Sequence, residues 1–275
     1  MKLRSAISAI SLALPLALAL PGAADAHRAW LLPSETVLSG DDAWITVDGA
    51  ISNDLFYPNH HALSPEGIAV ERPDGSDGAI ENAATGRYRS TFDVHLTQQG
   101  TWKIGTARTG AFGRYKLNGE EKRLPRGADA SRLDTLIPAG ATDVRIREMQ
   151  SRNEFFVTLG APTQTVFEPQ GTGLEMVPVT HPNDLVSDED GVFRFLVDGK
   201  PAAGIKVTAV LGGSRYRDTP VQLSGTTDAA GEVHLAWPEP GMYWLEAEIE
   251  DNHTSVPGAT ERGLGYVATL EVLAP

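Results

Sequence analysis

The chain has 275 residues, no cysteine and a formal net charge of −13. The lack of thiols excludes disulfides, thiolate metal sites and thiol nucleophiles, so any metal must be held by imidazole, carboxylate, backbone or a terminal amine. A balance this acidic argues against nucleic acid as a partner and is compatible with cations.

At the start, Lys2 and Arg4 precede an apolar run from Ile7 to Leu20, which ends in Pro21-Gly22-Ala23-Ala24-Asp25-Ala26. A basic start, an apolar middle too short to span a bilayer and a small-x-small end predict a secretory signal over residues 1–26. Cleavage after Ala24-Asp25-Ala26 makes His27 the first residue and leaves 21 basic against 35 acidic side chains. No later run reaches the roughly 18 apolar residues of a membrane span. The expected product is periplasmic and not membrane-embedded.

Beyond residue 27, short alternating runs punctuated by Gly, Pro, Asn and Asp dominate the chain, the pattern of sandwiches and barrels. Trp30-Leu31-Leu32, Ala43 to Val47 and Trp102 to Ile104 read as strands. In Tyr88 to Leu96, residues Tyr88, Phe92, Val94 and Leu96 share one face, opposite Arg89, Thr91, Asp93 and His95. From Thr109 to Ile146 the alternation fades and charge rises, which predicts an irregular excursion with a helical turn near Ala130 to Leu136. A domain boundary is expected within Thr163 to Gly173.

The second half alternates more cleanly. Phe193, Phe195 and Val197 lead to a turn at Asp198-Gly199-Lys200-Pro201, and Ile205, Val207, Ala209 and Leu211 come next. After the turn at Asp228-Ala229-Ala230-Gly231 come Val233, Leu235 and Trp237. Pro240-Gly241 then turns the chain into Tyr243, Leu245, Ala247 and Ile249, and Tyr266 to Leu273 closes the domain. This order resembles the small immunoglobulin-like modules of secreted proteins. The expected fold class is all-β: an N-terminal β-sandwich-like domain over residues 27–165, with an irregular insertion at 109–146, then an immunoglobulin-like β-sandwich over residues 166–275.

His27 is the sharpest chemical feature. An N-terminal histidine offers its α-amine and its imidazole Nδ1 to one ion, and the amine, with a pKa near 8, yields its proton readily to a metal. One further imidazole completes a three-nitrogen site suited to copper or nickel. His60 and His61, in Phe56-Tyr57-Pro58-Asn59-His60-His61, are the natural second donors. Adjacent residues of an extended segment point in opposite directions, so one of the two is expected to share a metal with His27. His95 and His234 fall on polar strand faces, His181 precedes Pro182 in a loop, and His253 comes after the acidic Glu250-Asp251. All four read more readily as structural or solvated groups. There is no G-x-S-x-G elbow, no H-E-x-x-H and no phosphate-cradling glycine loop, so nothing argues for an enzyme.

The opening Ala26-His27-Arg28-Ala29-Trp30-Leu31-Leu32-Pro33, and Gly173-Leu174-Glu175-Met176-Val177-Pro178-Val179 with the later Asp198-Gly199-Lys200-Pro201, resemble one bacterial family. It is a periplasmic family of formally unknown function, often labelled as the periplasmic component of nickel or cobalt uptake systems. The resemblance implies two β domains, secretion, and handling of a divalent transition metal (nickel, cobalt or copper) before passage to inner-membrane transporter components. His27 matches that family's histidine near the processed N-terminus. Two other readings stand beside it. One is a copper chaperone with the same three-nitrogen chemistry. The other is a secreted carbohydrate-binding or adhesion module in which Trp30, Trp44, Trp102 or Trp244 stacks on a ligand.

Overall fold

A computed structural model describes residues 27–125 and 127–275; the signal expected over residues 1–26 lies outside them. The strands are β1 (Arg28–Pro33), β2 (Val37–Leu38), β3 (Ala43–Ser52), β4 (His61–Ala62), β5 (Ala69–Glu71), β6 (Glu81–Thr85), β7 (Ser90–Leu96), β8 (Gly100–Leu117), β9 (Glu120–Arg123) and β10 (Thr142–Leu159). They continue as β11 (Leu174–Pro178), β12 (Asp190–Val197), β13 (Lys200–Pro201), β14 (Lys206–Leu211), β15 (Gln222–Thr226), β16 (Glu232–Ala236), β17 (Gly241–Asp251) and β18 (Ala259–Val272). A helical turn at Ala130–Arg132 runs into the short helix α1 (Leu133–Leu136), where the sequence places one. The fold is all-β, built of three sheets.

One nine-stranded sheet runs through both halves in the order β15-β14-β17-β18-β10-β8-β5, with β2 beside β10 and β9 beside β8. A five-stranded sheet, β1-β3-β7-β6 with β4 on β3, and a four-stranded sheet, β11-β12-β13 with β16 on β12, complete the architecture. The first core joins Ile45, Val47, Phe92 and Val94 of the five-stranded sheet to Trp102 and Phe155 of the large one. The second joins Phe193, Phe195 and Val233 to Leu245, Tyr266 and Leu270. The halves meet where β10 lies parallel to β18 from Ile146 to Phe155, so neither strand is an edge there. Burial alternates strictly along β7, with Phe92, Val94 and Leu96 inside. Tyr88, assigned to that face by the sequence pattern, precedes the strand and is exposed.

The turn residues of the second half act through hydrogen bonds. Thr227 accepts from the Ile205 amide at 2.9 Å and donates to the Ala202 carbonyl at 2.7 Å. Asp228 accepts from the amides of Ala230 and Glu232 and so closes its own turn. Gly231 has φ 77°, and a Cβ there would meet the Phe195 carbonyl oxygen at 2.5 Å, so only glycine fits. The Tyr243 hydroxyl donates to the Glu239 carbonyl at 2.8 Å, fixing the corner into β17.

The excursion expected to be irregular at 109–146 is β ribbon at 109–123 and from Thr142 onward, with irregular chain and the short helix between. β8 continues to Leu117, turns through Asn118-Gly119 into β9, and pairs with β10 from Thr142 onward. The alternation fades because much of the ribbon is solvated on both faces, so few positions need apolar side chains. Its own small core consists of Ala111, Leu124, Ala128, Leu133, Ile146 and Val256.

Candidate metal centre

His27 stands immediately before β1, and β1 is firmly held. Trp30 and Leu31 are 1% and 0% exposed. Trp30 Nε1 donates to Ser52 Oγ at 2.7 Å, and that hydroxyl donates onward to the Asp54 carbonyl at 2.6 Å. From the second half of the chain, Trp244 Nε1 donates to the Ala29 carbonyl at 3.0 Å, and the Arg28 guanidinium lies 5.2 Å over the Trp244 ring. Since Arg28 pairs with Ser52, His27 is placed beside the start of the loop at 53–60.

That loop is shaped by its own polar contacts. Asn59 accepts from the Asn53 amide at 3.0 Å and donates to Asp54 at 2.7 Å, folding the loop back on itself. Phe56, at φ 58°, packs edge-on against Trp30 with centroids 5.7 Å apart. On its other side it meets Gly212, where a Cβ would come within 2.7 Å of the ring. Arg215 lies 4.1 Å over Tyr57 and 3.9 Å from Asp54. The loop then delivers His61 into β4, opposite Ile51 of β3.

The three candidate ligands come together here. The His27 and His60 rings stack with centroids 3.8 Å apart and planes 19° apart, and the His61 ring centroid lies 4.7 Å from that of His60. The expected divergence of His60 and His61 is not observed. His60 occupies a bend before β4 and not the strand itself, so strand alternation does not govern it. Desolvation, and after it the neighbouring His27 and His61, pushes His60 below the ordinary imidazole range and favours its neutral, ligating form. Two nitrogens on one ion at bonds of about 2.0–2.1 Å lie no more than about 4 Å apart, a spacing compatible with the stacked rings. Among the described residues, no three His, Cys, Asp or Glu side chains already surround a common point.

The other histidines are engaged elsewhere or solvated. His95 stacks on Trp44 at 4.1 Å and meets Asp42 at 2.8 Å. His181 accepts from the Asn183 amide at Nδ1 and meets Thr101 Oγ1 through Nε2, and burial lowers its pKa. His234 and His253 are exposed, and Asp251, beside His253, is committed to Arg262. Of the tryptophans considered as stacking platforms, Trp30, Trp102 and Trp244 are core residues at no more than 2% exposure, and their indole nitrogens are bonded internally. Trp44, 47% exposed, is the one of the four that reaches solvent.

Fold and site together define an all-β protein with a histidine cluster where its first described strand begins. The chain belongs to the family described as a domain of unknown function, DUF4198, which matches residues 24–251. No curated protein matches it. Among solved structures it is similar to the D0-D1 domain of Intimin, at 12% identity over 88% of this chain and 97% of that one, with a TM-score of 0.23. The two tandem V-type regions of VCBP3, a v-region-containing chitin binding protein, give 8% identity over 87% and 98% of the two chains and a TM-score of 0.19. Among the described residues, no helix is long and apolar enough to cross a membrane.

Proposed function

We propose that the protein is exported, begins at His27 after cleavage, and captures one divalent transition-metal ion in the periplasm as an accessory of nickel or cobalt uptake. The donors are the His27 amine, the His27 imidazole and the imidazole of His60 or His61. The supporting observation is the convergence of these three histidines from two separate segments, the start of β1 and the β3–β4 loop. Rotation of the exposed rings turns the stack into a convergent set, and all three side chains are exposed, which suits an ion that must be released again to inner-membrane transporter components. A copper chaperone would use the same atoms; metal competition separates the two roles.

Calorimetric titration of the form beginning at His27 with Ni²⁺, Co²⁺ and Cu²⁺, in a weakly coordinating buffer, tests this reading. One added residue before His27 converts the amine into an amide, so it should weaken binding about a hundredfold, some 2.7 kcal/mol, as severely as His27→Ala. His60→Ala and His61→Ala should weaken binding unequally. Unchanged affinity in the extended form removes the amine from the site, and no binding by the unextended protein overturns the proposal.

A further inference from the structure

The chain is acidic overall, yet its ribbon gathers arginines on one face. Arg114 of β8 is the direct cross-strand partner of Arg123 on β9 and of Arg145 on β10. Directly opposed residues project from the same face with Cβ atoms about 4.5–5.5 Å apart, so three guanidinium side chains stand in one row over three adjacent strands. Arg147, two residues beyond Arg145 and opposite Phe112, adds a fourth. Like charges opposed in this way oppose folding, and little here offsets them. Arg114 reaches Glu121 only at 3.8 Å, in an exposed pair of small worth. Arg147 pairs with Glu250 through one terminal nitrogen, while its buried Nε has no hydrogen-bond partner. Arg123 and Arg145 make no ion pair among the described residues.

These four arginines line an open groove of about 820 Å³ together with the exposed Phe112 and Val144 and with Glu261, the cross-strand partner of Arg147. Phe112 and Val144 are each 42% exposed, although large apolar side chains ordinarily gain by burial. The volume is that of a small-molecule site, and its chemistry joins four arginines, outnumbering the one carboxylate of Glu261, to apolar side chains.

We propose that this groove binds a phosphate-bearing amphiphile, with the phosphate on the arginine row and the apolar body over Phe112 and Val144. A phosphate dianion offers three terminal oxygens and can accept from several guanidinium forks at once. A single carboxylate is satisfied by one bidentate arginine and would leave the rest of the row unpaired. The same headgroup chemistry comes from a dispersed organic phosphate or from a phospholipid in a bilayer.

Two probes separate these sources. The first is a short-chain phosphatidic acid kept dispersed, titrated calorimetrically. The second is co-flotation with phosphatidylcholine vesicles with and without phosphatidic acid. Binding of either probe should fall at least tenfold in the Arg114→Gln/Arg145→Gln double variant, and about threefold in Arg123→Gln, which alters only an exposed side chain. Phe112→Ser should weaken binding with every charge kept. Arg114→Gln should not lower the unfolding temperature of the unliganded protein, because it relieves repulsion. Binding of the dispersed probe assigns a soluble ligand, and binding confined to phosphatidic acid vesicles assigns a lipid headgroup. No binding of either probe, binding undiminished in the double variant, or equal affinity for a carboxylate of the same chain length overturns the proposal.

Discussion

Arg262 of β18 holds both carboxylate oxygens of Asp198, at 3.2 and 2.8 Å, across 64 residues of chain. The same guanidinium donates to both oxygens of Asp251, at 2.9 and 2.6 Å, and is itself only 4% exposed. Asp198 also accepts from the Gly173 amide, so one cation ties β17 and β18 to the turn after β12 and to the entry of β11. Removing one member of a buried charge network strands the others, typically at about 3–5 kcal/mol. Because Asp198 is partly solvated, Arg262→Met is expected to cost roughly 2–4 kcal/mol in urea unfolding.

The pH dependence of that loss has a definite sign. Hydrogen bonds from Arg262 hold Asp198 and Asp251 below the usual carboxylate range. Their contribution is therefore present above the unfolded carboxylate pKa of about 3.9 and is lost as pH falls through the lower folded values. Unfolding measured from pH 6 down to pH 2 should show the wild type losing more stability than Arg262→Met over the acid limb. Parallel curves would remove the triad from acid stability.

Glu246 acts in the opposite direction. It sits on β17 between Thr208 and Val267 of the neighbouring strands, and burial, reinforced by Glu248 and opposed by Arg28, raises its pKa to about 7. Between about pH 4.5 and 7 the unfolded chain has released this proton while the folded chain keeps it, so stability falls as pH rises through that window. After allowance for partial solvation, Glu246→Gln should gain roughly 1–2 kcal/mol on the wild type at pH 8 and nothing at pH 5. Equal effects at both pH values would show that the carboxylate ionises normally.

Legibility in the sequence tracked the physics of each element. Phe193, Phe195, Val207, Ala209 and Leu245 alternate because one face of each strand is buried, and Asp228, Gly231 and Tyr243 stand out because their turns need those chemistries. The ribbon was not legible: Arg114, Lys116, Glu121 and Arg123 have no buried face to mark a period. Nor was the arginine row, which exists only through the register of β9, β8 and β10. At the candidate site, His27, His60 and His61 were visible as donor types. The His60 direction was not, because the Asn59 contacts with Asn53 and Asp54 bend the chain before β4.

Glu148 of β10 is 0% exposed, and burial alone would raise its pKa. It is nevertheless held below the usual range, because it accepts from Gln150 at 2.6 Å, from the Ser255 amide and hydroxyl at 2.6 and 2.7 Å, and from the Val256 amide at 3.0 Å. The carboxylate therefore clasps the segment between β17 and β18 and seats Val256 against Ile146. Glu148→Leu keeps much of the bulk but removes both acceptor oxygens, so the Ser255 and Val256 amides would lose the partners the carboxylate now provides. An unmet buried donor costs about 1–3 kcal/mol, so the variant should lose that much stability. The loss should be local as well as global, since three of the loop's hydrogen bonds run to this one carboxylate. Hydrogen exchange at the Ser255 and Val256 amides should accelerate more than tenfold while exchange at Tyr243 and Leu245, deep in the second core, rises only by the global amount. Uniform acceleration across both regions would show that the clasp acts on the fold as a whole and not on that segment.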